Sequence, residues 1–296
     1  MKNTMALAAV TALDLPLKRK THQLAFSTLG CPKWDLSQIL EAAVSNGYQA
    51  IEIRGLQGEL FLPKCPEFST PEQIAITRKK FADRKIKICN LGASTALHFL
   101  DPEKRKKNMD EAKQFIDLAQ QLSCPYVRVF PNNLPKDQDR EKTIEAITEG
   151  LLELGRYAEK AKVTVLLESH GEVVGKDLLL RIMKQAEHPN VGLIWDIYNM
   201  WSVTKEPPRE VYATLKKYIR HTHIKDGKTV DGKIQYTFLG QGDAPLTEAF
   251  DVLEADGYKG YYSFEWEKMW HPEIAEPELA FADYPTSIKK YLKASR

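Results

Sequence analysis

Four residues near the ends of four separate apolar runs carry the charges and lone pairs that chemistry requires: Glu168, Asp196, His223 and Glu265. In each run the flanking residues alternate. Val165 and Leu167 share one parity and leave Glu168 on the other; Trp195 and Ile197 do the same for Asp196, Thr222 and Ile224 for His223, and Phe264 and Trp266 for Glu265. If these runs are strands whose apolar parity faces a helical layer, all four polar side chains point into one interior. Three carboxylates gathered there would repel one another and raise each other's pKa unless a cation neutralises them. One divalent ion does so. Three oxygen donors and one imidazole suit Mn²⁺, Mg²⁺, Co²⁺ or Zn²⁺, and the absence of thiolate ligands argues against a purely structural zinc site.

Elements able to hold such residues at one level are legible along the chain. Short β-branched or aromatic runs at 24–28, 50–54, 87–91, 126–130, 164–169, 192–197, 221–226 and 261–266 each precede a longer amphipathic segment. Asp35 before Leu36, Thr70-Pro71 and Asp101-Pro102 read as helix starts. Eight strands alternating with eight helices predict a single-domain α/β fold, a (β/α)₈ barrel with its active site at the carboxyl ends of the strands. An open doubly wound sheet is disfavoured, because the turn around Gly30 lacks the Gly-x-Gly-x-x-Gly pattern and no phosphate loop occurs. The longest excursions, 55–70 and 227–243, are the expected functional loops.

Composition narrows the partners. Forty-two basic against 40 acidic residues leave a net charge of +2, too small a field to draw nucleic acid or an anionic membrane. Cys31, Cys65, Cys89 and Cys124 are scattered without a Cys-x-x-Cys pair, so buried free thiols are expected. No apolar run approaches the length of a membrane span. Residues 1–23 read as an amino-terminal arm or, more weakly, as an export signal, since Lys2 precedes an apolar stretch at 5–13 that Asp14 ends; a cytoplasmic location is the expectation for the 24–296 barrel.

The segments Leu166-Leu167-Glu168-Ser169-His170, Ile194-Trp195-Asp196-Ile197-Tyr198-Asn199, His221-Thr222-His223-Ile224-Lys225-Asp226 and Ser263-Phe264-Glu265-Trp266-Glu267, with Gly240-Gln241-Gly242-Asp243, resemble the xylose isomerase-like TIM-barrel superfamily of sugar phosphate isomerases and epimerases over roughly residues 24–293. The resemblance implies one divalent ion held by Glu168, Asp196, His223 and Glu265, with the two glutamates also serving as acid and base. Two departures matter. The position three residues after the metal aspartate, often histidine in ketose 3-epimerases, is Asn199; and past His223 the only histidine is His271, too few for the three-metal cluster of the DNA-repair branch.

The expected chemistry is isomerisation or epimerisation of a sugar, keto-sugar or sugar phosphate, by proton transfer through a metal-stabilised enediolate. Dehydration or β-elimination on a keto-inositol or 3-keto-glycoside needs the same residues, and a non-catalytic carbohydrate-binding barrel is the reading from another class. Around the metal, His170, Asn199 and Lys225 are candidate substrate contacts, with Lys225 alternatively paired to Asp226 or another strand carboxylate. Glu52, Arg54 and Arg128 share the inward parity of strands two and four; they either touch substrate from the opposite wall or form a structural ion-pair layer. Trp34 and Trp270 are candidate aromatic walls for a sugar ring, while Trp266 faces the helices. The partner is a small carbohydrate, and association into a homo-oligomer is an expectation by analogy alone.

Overall fold

The computed structural model describes residues 22–292; the amino-terminal arm or signal-like segment expected at the start of the chain falls, over residues 1–21, outside them. Eight parallel strands close into a barrel: β1 (Gln23–Ser27), β2 (Ala50–Ile53), β3 (Lys87–Ala96), β4 (Tyr126–Phe130), β5 (Thr164–Glu168), β6 (Val191–Asp196), β7 (Ile219–Ile224) and β10 (Tyr261–Phe264), the last pairing with both β7 and β1. Two more strands, β8 (Asp226–Val230) and β9 (Lys233–Thr237), form an antiparallel hairpin above β7. The 227–243 excursion is therefore not an irregular loop.

The helices form an outer layer, α1 (Leu36–Ser45), α2 (Pro71–Asp83), α3 (Pro102–Leu122), α4 (Arg140–Ala158), α5 (Lys176–Gln185), α6 (Ile197–Thr204), α7 (Pro208–Leu215), α8 (Leu246–Ala255) and α9 (Pro277–Ser287). Among the described residues these are nine rather than the expected eight, because β6 is followed by two short helices separated at Lys205, which adopts a left-handed conformation with φ 56°. The start signals hold. Asp35 makes a reciprocal capping box with Gln38, and Asp101 accepts from Lys104 N at 2.8 Å.

The outward parity of the strands packs against this layer as the alternation requires. Trp195 packs with its ring 5.6 Å from that of Tyr212 of α7, Phe264 lies 4.5 Å from Tyr284 of α9, and Trp266 donates to Ala275 O on the helix side. At the barrel floor the interior is filled by Ala25, Ala50 and Cys89, small side chains that leave the polar layers above them room. β3 runs five residues beyond the expected strand, with a register shift against β4 between Gly92 and Ala96. All four cysteines are buried and free. No helix among the described residues is long and apolar enough to cross a membrane.

Candidate metal centre

Glu168 closes β5, Asp196 closes β6, His223 stands one residue from the end of β7, and Glu265 follows β10, where its N–H donates to Ile224 O and so continues the strand pairing. Parallel strands in register bring these four ends to one level. One donor atom from each lies within 4.8 Å of all the others. His223 Nδ1 is 3.2 Å from Glu265 Oε1, 3.6 Å from Glu168 Oε1 and 3.8 Å from Asp196 Oδ2. Below it, Glu52 Oε2 accepts from His223 Nε2 at 2.9 Å and from His221 Nε2 at 3.0 Å. With Nε2 directed downward to Glu52, Nδ1 points upward among the carboxylates, where a bound cation would displace its proton and take the lone pair.

Each carboxylate has one oxygen tied to a neighbour and the other turned to this centre. Glu168 Oε2 accepts from Arg128 Nη1 at 2.7 Å, Glu265 Oε2 from Lys225 Nζ at 2.6 Å, and Asp196 Oδ1 from Asn199 N at 2.8 Å, where Asp196 caps α6. Ser169 Oγ accepts from Asp196 N at 3.0 Å and fixes its backbone. Asp196 Oδ2 lies 2.8 Å from Lys225 Nζ, but at an angle that makes no hydrogen bond; this oxygen and His223 Nδ1 are buried atoms with no hydrogen bond among the described residues. These two orphaned atoms, with Glu168 Oε1 and Glu265 Oε1 beside them, bring three oxygens and one nitrogen together from four strands and fit one divalent cation.

The electrostatics agree. Burial opposes ionisation of Glu168 and Glu265, yet Arg128 holds the first, and His223 with Lys225 the second, below the ordinary carboxylate range. Burial likewise disfavours a charged His223, but Glu265, Glu52 and Glu168 raise its pKa well above that of a free imidazole. The cluster draws in positive charge wherever it can find it.

A cavity of about 380 Å³ opens over this centre, within the size range of small-ligand sites. Glu168, Glu265, Arg54, Arg128, His170, Asn199, Lys225 and Trp270 all line it, the last half exposed at its rim. His170 is held by Asn132 at 3.0 Å, and burial lowers its pKa, so it enters the cavity as a neutral imidazole. Lys225 is ion-paired to Asp196, Glu265 and Glu267 rather than to Asp226. Asp226 instead accepts backbone N–H bonds from Gly227, Gly240, Gly242 and Ala244, pinning the glycine-rich loop beside the hairpin.

Two expected substrate contacts are displaced. Glu52 is fully buried beneath His223 and does not reach the cavity, because it sits one layer lower in β2. Trp34 packs edge-on against Phe281 of α9, in a separate groove with Lys268 and Pro277. Cavity residues that the sequence did not mark include Ser94, Phe130, Asn132, Tyr236 and Glu267. Glu267 was within reach, two positions after Glu265; Tyr236 was not, since only the hairpin carries it over the site.

The molecule is thus a (β/α)₈ barrel with a four-residue candidate metal centre at its strand ends. The chain matches the xylose isomerase-like TIM barrel family over residues 40–288 and belongs to it. Inosose dehydratase of Histophilus somni is 25% identical, with 94% of this chain and 98% of that protein covered. Fructoselysine 3-epimerase of Shigella flexneri is also 25% identical, over 60% of this chain and 64% of its own. Among solved structures, the IOLI protein with a bound zinc atom superposes with a TM-score of 0.77 at 21% identity, covering 92% of this chain and 99% of that one. D-psicose 3-epimerase of Clostridium cellulolyticum H10, solved with D-tagatose, gives 0.73 at 18% identity over 91% and 99%. Three of these four are named as enzymes, an inosose dehydratase and two sugar 3-epimerases.

Proposed function

We propose that the chain is a metal-dependent isomerase or epimerase that moves a proton at the carbon next to the carbonyl of a keto-sugar. The observation that carries this reading is the pair Glu168 and Glu265, which stand on the non-adjacent strand ends of β5 and β10 at 3.6 and 3.2 Å from the same His223 nitrogen. When bound, a divalent ion would polarise the substrate carbonyl and balance the negative charge that develops as the proton leaves. The residues do the rest. Glu168, kept ionised by Arg128, is a base on one side of the substrate carbon; Glu265, tied to Lys225, can return or remove the proton on the other. His170, Asn132 and Asn199 offer neutral hydrogen-bonding groups to hydroxyls, and Phe130, Tyr236 and Trp270 offer apolar faces.

Dehydration of a keto-inositol is the second reading. It is favoured by the near full-length similarity to inosose dehydratase and by Asn199 in place of the histidine common in ketose 3-epimerases. Both reactions begin with the same proton abstraction, and they part at whether a leaving group lies beside the carbanion.

The test is incubation of metal-reconstituted protein in D₂O with a panel of keto-sugars and inososes, followed by NMR and mass spectrometry. Deuterium incorporation with retained mass balance supports epimerisation or isomerisation; loss of water supports the dehydratase. Carbohydrate binding without exchange in any substrate would establish a non-catalytic barrel and defeat both readings.

A further inference from the structure

Opposite the lysine, the cavity wall holds a second concentration of charge that the proton-transfer scheme does not use. Arg54 is 5% exposed, and its guanidinium reaches only neutral acceptors: Nη1 donates to Gly92 O at 3.4 Å and Nη2 to Ser94 Oγ at 3.1 Å. Among the described residues it makes no ion pair. Beside it Arg128, 1% exposed, has one nitrogen on Glu168, while its Nε and Nη2 are buried without a hydrogen bond among the described residues. Both arginines line the cavity.

Their proximity is built into the backbone. A Cβ at position 92 would come within 2.7 Å of Arg54 Cδ and 2.8 Å of Arg128 Nη2, so only glycine lets the two side chains pass on the same stretch of β3. Phe130 supports the arrangement, with Arg128 Cζ 3.7 Å from its ring centroid. Burial, and then the like charge of Arg128, push the Arg54 pKa down to about 9 despite Glu168, Glu265 and Glu52 nearby. The two buried guanidiniums are held side by side, Arg54 with no carboxylate partner and Arg128 with N–H groups left over beyond its pair with Glu168, so their mutual repulsion and desolvation are only partly offset. A structural ion-pair layer would have given Arg54 a carboxylate as it gives Arg128 one.

We infer that Arg54 and the free edge of Arg128 form an oxyanion-binding subsite, and that the substrate is an acidic sugar derivative carrying a carboxylate or a phosphate. The planar N–H fork of arginine matches both groups. Ser94 Oγ, which accepts from Arg54, can donate its own proton to the same anion. Placed just past the end of β2 and on β4, the subsite anchors one end of the substrate while Glu168 and Glu265 face its reacting carbon. This identification of the substrate class rests on the proton-transfer reading, although anion binding itself does not.

The experiment is calorimetric titration of metal-loaded protein with D-glucuronate, D-glucose 6-phosphate and D-glucose, in wild type, Arg54→Gln and Arg54→Lys, each with its melting temperature and metal content recorded. The expected result is at least tenfold tighter binding of one acidic sugar than of glucose. That preference should collapse in Arg54→Gln, survive in part in Arg54→Lys, and weaken with added salt. Whichever acid binds tighter identifies carboxylate or phosphate as the group. Equal affinity for neutral and acidic sugars in wild type, or a preference that persists in a folded, metal-loaded Arg54→Gln, overturns the inference. Deuterium exchange on neutral keto-sugars with no Arg54-dependent acid preference would leave the proposed function standing and this subsite refuted; the reverse pattern would refute the function and keep the subsite.

Discussion

Glu52 Oε2 lies 2.9 Å from His223 Nε2, so a fully buried carboxylate one layer below the candidate metal centre decides which imidazole nitrogen faces it. The same oxygen also receives His221, at 3.0 Å, and the two rings stand nearly perpendicular. An anionic acceptor both orients His223 and makes Nδ1 a better electron donor.

Replacing that carboxylate by an amide should therefore weaken metal binding without removing a ligand. Glu52→Gln is expected to lower affinity by about 10- to 100-fold, measured by competition with a chromophoric chelator. Affinity equal to wild type would show that the barrel packing alone orients His223.

Glu168→Gln and Glu265→Gln each remove a charge from the centre and a proton acceptor from the cavity. Exchange or turnover should fall by on the order of 100- to 10,000-fold in either variant, and at saturating metal the deficit should persist. Circular dichroism and melting curves confirm that the fold survives. Near-normal exchange in both variants at full metal occupancy contradicts the assignment of the pair.

Asp226 ties together Gly227, Gly240, Gly242 and Ala244, and a Cβ on Gly242 would fall 2.0 Å from its Oδ1. Asp226→Ala leaves several backbone N–H groups without their acceptor and is expected to cost roughly 3 kcal/mol. Gly242→Ala should disrupt the same loop. Proteolysis within 227–243 provides the local readout, and unchanged protection in both variants would show that the hairpin holds itself.

Burial raises the thiols of all four cysteines, Cys65 and Cys124 to about 12 and Cys31 and Cys89 well above their ordinary value. In the unfolded chain they ionise near pH 8.5, so the unfolded state loses protons first as pH rises. The contribution of these groups is full below that pH and declines above it, by about 1.4 kcal/mol per pH unit for each thiol until its folded pKa is reached. Melting temperature should fall between pH 8.5 and 10.5, less so after Cys→Ala replacement at the tightest sites. Native protein should resist thiol reagents at pH 8 and react fully in denaturant; rapid labelling of the folded chain would refute this.

Much of the architecture follows from local rules. Alternating apolar parity around Glu168, Asp196, His223 and Glu265 already requires that they face one interior, because slipping any strand by one residue would turn its apolar set inward and its charge against the helices. Caps at Asp35, Thr70 and Asp101 mark helix starts through chemistry confined to three or four residues. Such features are determined by sequence alone.

Depth and partnership are different. Glu52 within β2 and Arg54 one residue past its end have the same parity, yet the first props a histidine from below and the second lines the cavity, a distinction set by the height of each residue and by strand stagger around the closed barrel. Trp34 and Trp270 both lie in loops after strands, but helix packing against Phe281 turns Trp34 away. Tyr236 reaches the site only because β8 and β9 pair over it, and Lys225 meets three carboxylates from strands and loops far apart in sequence. The chain by itself determined which residues face inward; closure of the barrel decided which of them meet, since contacts between strands depend on register and tilt that no single segment encodes.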